Sequence, residues 1–126
     1  MARLGSYRDL NVWQKAMDLA QEVYRLAKLM PKAEEYRLTS QLLRAAASVP
    51  ANIAEGNARG TRRDYAHFVS IARGSLAEAE TFLLLAVGVK LLSEHQAAPA
   101  LKLTDGLGRM LNVLRRRLDA APSPNP

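Results

Sequence analysis

The sequence predicts one all-α domain, an antiparallel up-down-up-down four-helix bundle, on three observations. Its 126 residues suit a single core. Almost half of them are apolar, much of that alanine, with only two Phe, one Trp and four Tyr. Alanine is the best helix former, whereas strands favour β-branched and aromatic residues. Finally, four long stretches carry apolar residues at spacings of three and four, the mark of a helix with one buried face.

The first helix is expected from about Asp9 to Met30. Trp13, Ala16, Met17, Ala20, Val23, Tyr24, Ala27 and Met30 form its stripe, Asp9 suits the positive end of the dipole, and Pro31 stops it. The second is expected from about Glu34 to Arg59, on Leu38, Leu42, Ala45, Val49 and Ile53. Pro50 lies inside that run, where it lacks an amide donor and crowds the carbonyl of Ala46. Val49 and Ile53 nevertheless keep the face set by Leu38 and Leu42, so one helix with a kink near Ala46–Pro50 is predicted. Gly60 closes it.

Thr61 and Asp64 resemble a capping box and open the third helix. Its apolar face runs from Tyr65 and Phe68 through Leu76 and Leu83 to about Leu92. The fourth begins between Glu94 and Pro99, because Ser93 can cap and Pro99 fits the first turn. Leu103, Leu107, Met110, Leu111, Leu114 and Leu118 carry it to Asp119. Residues 1–8 are then an N-terminal arm, 9–119 the bundle, and 120–126, rich in proline, a tail expected to be disordered.

Two segments resemble the four-helix-bundle proteins of the 23S rRNA intervening-sequence protein family. One is Leu10-Asn-Val12-Trp13-Gln14-Lys15-Ala16; the other runs Gln41-Leu-Leu-Arg44-Ala-Ala-Ala-Ser48-Val-Pro50-Ala-Asn52-Ile-Ala-Glu55-Gly56, followed by Arg59. Phe68, Ile71-Ala-Arg73-Gly74-Ser75-Leu76, Glu78 and Glu80 extend the match, which spans roughly residues 7 to 118. Leu43 departs from it, standing where the family often has a basic residue. The resemblance implies a homopentamer of bundles. It also implies a link to intervening sequences of 23S rRNA genes, or to accessory proteins of retroelement reverse transcriptases.

The chemistry-bearing residues are few. With no cysteine there are no disulfides, thiolate nucleophiles or cysteine-held metals. Asp64-Tyr-Ala-His67 is a lone approximation to the carboxylate–histidine pairs of metal-binding bundles, and His95 has no carboxylate three residues before it. Neither a metal nor a cofactor is expected. Gly106-Leu-Gly108 lacks the rest of a dinucleotide fingerprint, and Ser48 and Ser75 have no evident base. No enzyme is predicted. The N-terminus lacks the apolar core of a signal peptide, and no run approaches the roughly 20 apolar residues of a membrane span. The expected location is the cytoplasm.

Charge is the strongest functional signal. The chain carries a net +6, and the predicted topology brings the start of the first helix, the turn between the second and third, and the end of the fourth together. That end gathers eight arginines, Arg3, Arg8, Arg59, Arg62, Arg63, Arg115, Arg116 and Arg117, against four acids, Asp9, Glu55, Asp64 and Asp119. Its net +4 suits phosphate contacts in RNA or DNA. Arginines at the end of a helix also simply complement its dipole. No aromatic residues interleave them, so base stacking is not expected. A second cluster, Arg44, Asn52, Glu55 and Arg59, shares one helix face at spacings of three, four and eleven. It reads either as a polar pocket or subunit-contact network, or as an ordinary solvated stripe. Charge therefore predicts a bundle that binds nucleic acid through its basic end, and the resemblance implies that this bundle is oligomeric. The alternative is a protein-interaction scaffold, such as an accessory subunit of a reverse transcriptase.

Overall fold

The computed structural model describes residues 6–120, and every regular element among them is helical. The four helices are α1 (Asn11–Ala27), α2 (Leu38–Ala58), α3 (Arg62–Gly88) and α4 (Glu94–Asp119), with short 3₁₀ turns at Tyr7–Asp9 and Lys32–Glu34. Expectations about Arg3 and about residues 121–126 of the tail fall outside the described residues.

Each helix packs against two others, in the cyclic order α1–α2–α3–α4–α1, and the diagonal pairs make no close backbone approach. The buried stripes meet in one core of Leu19, Val23, Leu26, Leu42, Val49, Ile53, Val69, Leu83, Leu107 and Leu111, supplemented by many alanines. Small residues bring α2 and α3 closest together. A methyl added at Gly56 would lie 2.8 Å from Phe68 Cβ, and Ser75 Oγ on α3 donates to Ser48 Oγ on α2 over 2.9 Å.

Helix ends depart from the expected boundaries for local reasons. α1 begins at Asn11 rather than Asp9, because residues 7–9 form a 3₁₀ turn in which Ser6 Oγ accepts from the Arg8 amide. It ends at Ala27, where amides of Leu29 and Met30 switch to acceptors three residues back. α2 begins at Leu38, not Glu34. The Lys32–Glu34 turn buries no side chain, and Glu35, Tyr36 and Arg37 are exposed, so packing does not hold that stretch helical. Helix α2 then continues through Pro50 without interruption.

α3 stops at Gly88 instead of near Leu92. Lys90 adopts φ 68°, the amide of Leu91 reaches back to the Ala86 carbonyl, and that of Lys90 to Val87. These are the two hydrogen bonds of a Schellman motif, here with lysine where glycine usually sits. α4 starts at Glu94 under a full capping box: Ser93 Oγ accepts from the Gln96 amide, and Gln96 Oε1 accepts from the Ser93 amide. Pro99 consequently falls one turn deeper than expected. The carbonyl it leaves without an amide belongs to exposed His95, where water can serve it.

Candidate nucleic-acid interface

The arginines singled out in the sequence divide into three groups once the fold places them. Arg62, Arg63 and Arg115 converge. Together with Ala66, His67, Ser70, Leu118, Asp119 and Ala120 they line a groove of about 530 Å³ between the start of α3 and the end of α4. Thr61 sets its geometry, since its hydroxyl accepts from the Asp64 amide over 3.1 Å and fixes where α3 begins.

Within that groove two arginines are committed to the fold. Arg62 Nη2 donates to the carbonyls of Arg117 and, over 3.1 Å, Ala120, closing the C-terminal end of α4. Arg115 Nε donates to Ser70 Oγ over 2.8 Å while its Nη1 pairs with Asp119. Arg63 is exposed and has no hydrogen bond or ion pair among the described residues; the same holds for Arg116. These side chains are available to an incoming anion at little conformational cost to the protein.

Arg59 and Arg117 turn elsewhere. Arg59 caps the end of α2, with its guanidinium 4.9 Å from the centre of the Phe68 ring and Nη2 2.9 Å from Glu55 Oε2. Arg117 lines a separate hollow between α1 and α4, beside Leu10, Asn11 and Val12. Arg8 is exposed in the turn before α1, where its carbonyl accepts from Gln14 Nε2 over 2.8 Å.

The second predicted cluster is not one network within the chain. Glu55 and Arg59 pair, but Asn52 Nδ2 donates to the carbonyl and hydroxyl of Ser48, each over 2.8 Å, and Arg44 is exposed without a partner among the described residues. The connected group is Asn52–Ser48–Ser75, a polar clamp joining α2 to α3. Ser48 and Ser75, dismissed as nucleophiles, are its members.

His67 and Ser70 are groove residues that the reading by charge alone missed. Their spacing from Arg63, four and seven, carried the signal, because it puts all three on one helical face. The role of Arg62 left no such trace, since it depends on α4 ending beside α3. The groove offers guanidinium, imidazole and hydroxyl donors suited to phosphate oxygens. Among the described residues no group of three or more His, Asp or Glu side chains could hold a metal, and no helix is long and apolar enough to cross a membrane.

A search of curated proteins finds no match to this chain. Among solved structures, a protein of unknown function from the S23 ribosomal protein family of Bacteroides thetaiotaomicron superposes with a TM-score of 0.78. The two share 23% identity over 83% of this chain and 98% of that one, a likeness of fold. The family model described as 23S rRNA-intervening sequence protein matches residues 8–113, taking in α1 to α3 and most of α4. The chain belongs to the 23S rRNA-intervening sequence protein family.

Proposed function

We propose that this protein is a non-enzymatic, homo-oligomeric helical bundle that binds the phosphate backbone of RNA or DNA through its basic end. The observation carrying this reading is the groove between α3 and α4, in which Arg62, Arg63, Arg115 and His67 converge. Topology supports it. Arg62 meets Arg117, Ser70 meets Arg115 and Glu80 meets Thr104, so positions rise along α3 as they fall along α4. Gly56 beside Phe68 and Ser48 beside Ser75 give α2 and α3 the same opposed sense. These two opposed pairs support an up-down-up-down order for the bundle. It gathers the start of α1, the α2–α3 turn and the end of α4 at one end, and leaves room for a bend in α2 where Ala46 lacks the Pro50 amide.

In this reading Arg63 is the phosphate contact within the groove, exposed Arg116 and Arg117 add contacts on the neighbouring surface of α4, supported by Arg8, and Arg62 and Arg115 shape the groove. Arg44 stays outside the site. A ring of five copies, as the family resemblance suggests, multiplies one modest basic end into a large positive rim, in the cytoplasm where the absence of cysteine is at home. The contacts are with backbone phosphates, so binding is not specific for sequence.

The test is fluorescence anisotropy with labelled structured RNA, single-stranded RNA and duplex DNA at low salt. The variant Arg63→Ala/Arg116→Ala/Arg117→Ala is compared with Arg25→Ala/Lys28→Ala, which alters the other end of α1. Binding that falls at least tenfold in the first variant and little in the second is expected. No binding by the unaltered protein at any salt would end this reading and favour a protein-docking scaffold. For that alternative the feature to follow is Tyr36, 89% exposed between α1 and α2.

A further inference from the structure

The basic groove between α3 and α4 does not end at Ser70. Further along the same seam a second hollow opens, of about 360 Å³, bordered by Arg73 and Ala77 on α3 and by Gly108, Arg109 and Asn112 on α4. The two hollows abut. Ser70 and Arg115 edge the first, and Arg73 and Asn112, each three residues away, edge the second. The helices stay in register along this whole length, since Ser70 meets Arg115 and Glu80 meets Thr104.

Charge along the seam is ordered. Arg63 at the open end and Arg73 ten residues on are both exposed, with no hydrogen bond or ion pair among the described residues. Ten residues of helix set them about 15 Å apart. His67, Ser70 and Asn112 offer hydrogen-bonding side chains along the way, while Arg115 and Arg109 are paired with Asp119 and Asp105. Beyond Arg73 the sign reverses. Glu80 has no ion pair among the described residues, its carboxylate accepting from the Thr104 hydroxyl over 2.9 Å, and Asp105 borders the same hollow. Small residues, Ala66, Ser70, Ala77 and Gly108, keep the seam from being filled by the protein itself.

We infer that this seam is a track for one nucleic-acid strand. A single-stranded segment enters at Arg63, lies between α3 and α4 past Arg73, and stops where Glu80 and Asp105 repel its next phosphate. This rests on the phosphate-binding reading above and names its substrate class, single-stranded rather than duplex. Width and straightness decide the number of strands. The axes of packed helices lie about 8–10 Å apart, so the valley between them takes one sugar–phosphate backbone. A duplex turns once in about 34 Å, so over about 15 Å each of its backbones winds almost to the far side and leaves a straight seam. A duplex therefore reaches only the arginines at the end of the bundle, whereas a flexible strand reaches Arg73 as well. No Phe, Tyr or Trp lines either hollow, so the bases face outward and the backbone alone is held.

Fluorescence anisotropy across a salt series tests this, with a single-stranded RNA of about 12 nucleotides and a duplex of the same length. The unaltered protein is compared with Arg73→Ala and with Glu80→Gln/Asp105→Asn. Circular dichroism checks that each folds, and Asp105→Asn alone replaces the double variant if it does not. Arg73→Ala should weaken single-strand binding severalfold and lower its salt slope by about 0.7 for each copy in contact, while duplex binding stays unchanged. Removing the acids should tighten single-strand binding. An unchanged single-strand slope in Arg73→Ala overturns the track and leaves the basic end standing. An equal loss on the duplex overturns the choice of a single strand. Binding that fails to tighten without the acids overturns the stop. No binding of either nucleic acid by the unaltered protein overturns both the track and the reading beneath it.

Discussion

At Gly56 the contact between α2 and α3 leaves no space for a side chain. A methyl there would meet Phe68 Cβ at 2.8 Å, Tyr65 Cδ1 at 3.1 Å and the Tyr65 carbonyl at 3.3 Å. Two of these neighbours are backbone or Cβ atoms that cannot swing aside. Gly56→Ala, although favourable to an isolated helix, should therefore destabilise the protein by about 1–3 kcal/mol in urea unfolding. Unchanged or higher stability would mean that the two helices separate easily. Glu22 gives a second prediction. Its hydrogen bond with Arg25 holds its carboxyl below the usual value of 4.5, partly opposed by burial. A lowered folded pKa contributes stability that is present above the unfolded value and lost as pH falls through the folded one. The stability advantage over Glu22→Gln should be constant near neutrality and disappear below pH 4.5, read from urea midpoints across pH; an advantage that persists in strong acid contradicts it. Sequence patterning announced the buried stripe of α2 through Leu42, Ala45, Val49 and Ile53. On α1 it chose a face turned too far toward solvent: Val12, Leu19 and Leu26 are buried there, while Trp13 and Met17 are half-buried and Tyr24 is exposed. It was silent on Arg62 and on the Ser48–Asn52–Ser75 clamp, whose partners come from elements far apart in the chain.

Helix termini show the same division. Ser93 and Gln96 form their capping box as the spacing implies, since both partners lie within one turn. Thr61 likewise caps α3. The end of α3 was less legible because its stop signal is a lysine. Lys90 holds a left-handed φ of 68° in a Schellman motif, a conformation that disfavours any residue bearing Cβ. Lys90→Gly should raise stability by about 0.5–1 kcal/mol, the relief of strain being partly offset by the entropy of a freer unfolded chain. Thermal unfolding measures it, and a lowered midpoint would show that the lysine side chain makes a contact worth more than the strain. The start of α2 was misplaced for a related reason. Residues 34–37 have helix-compatible composition, but almost nothing to bury, and tertiary packing rather than propensity decides such stretches.

Across the whole molecule, charge and apolar surface separate only in part: the hollow between α1 and α4 mixes Arg109 and Arg117 with Leu10, Val12 and Val113. Arginines concentrate where α3 begins and α4 ends, while an uncharged groove opens along α1 and α2. The fold class and the basic character were readable from composition and period. Which arginines remain free was not, because Arg62 and Arg115 are engaged by carbonyls, Ser70 and Asp119 that only the folded chain brings near. The central claim is that the free arginines contact phosphates. Its most direct measurement is the slope of log affinity against log salt concentration for duplex DNA, compared between the unaltered protein and Arg63→Ala/Arg116→Ala/Arg117→Ala. Each lost phosphate contact lowers the slope by about 0.9. The account predicts a steep slope that flattens by as much as roughly 3 for each copy in contact with the DNA. Equal slopes in the two proteins would contradict it.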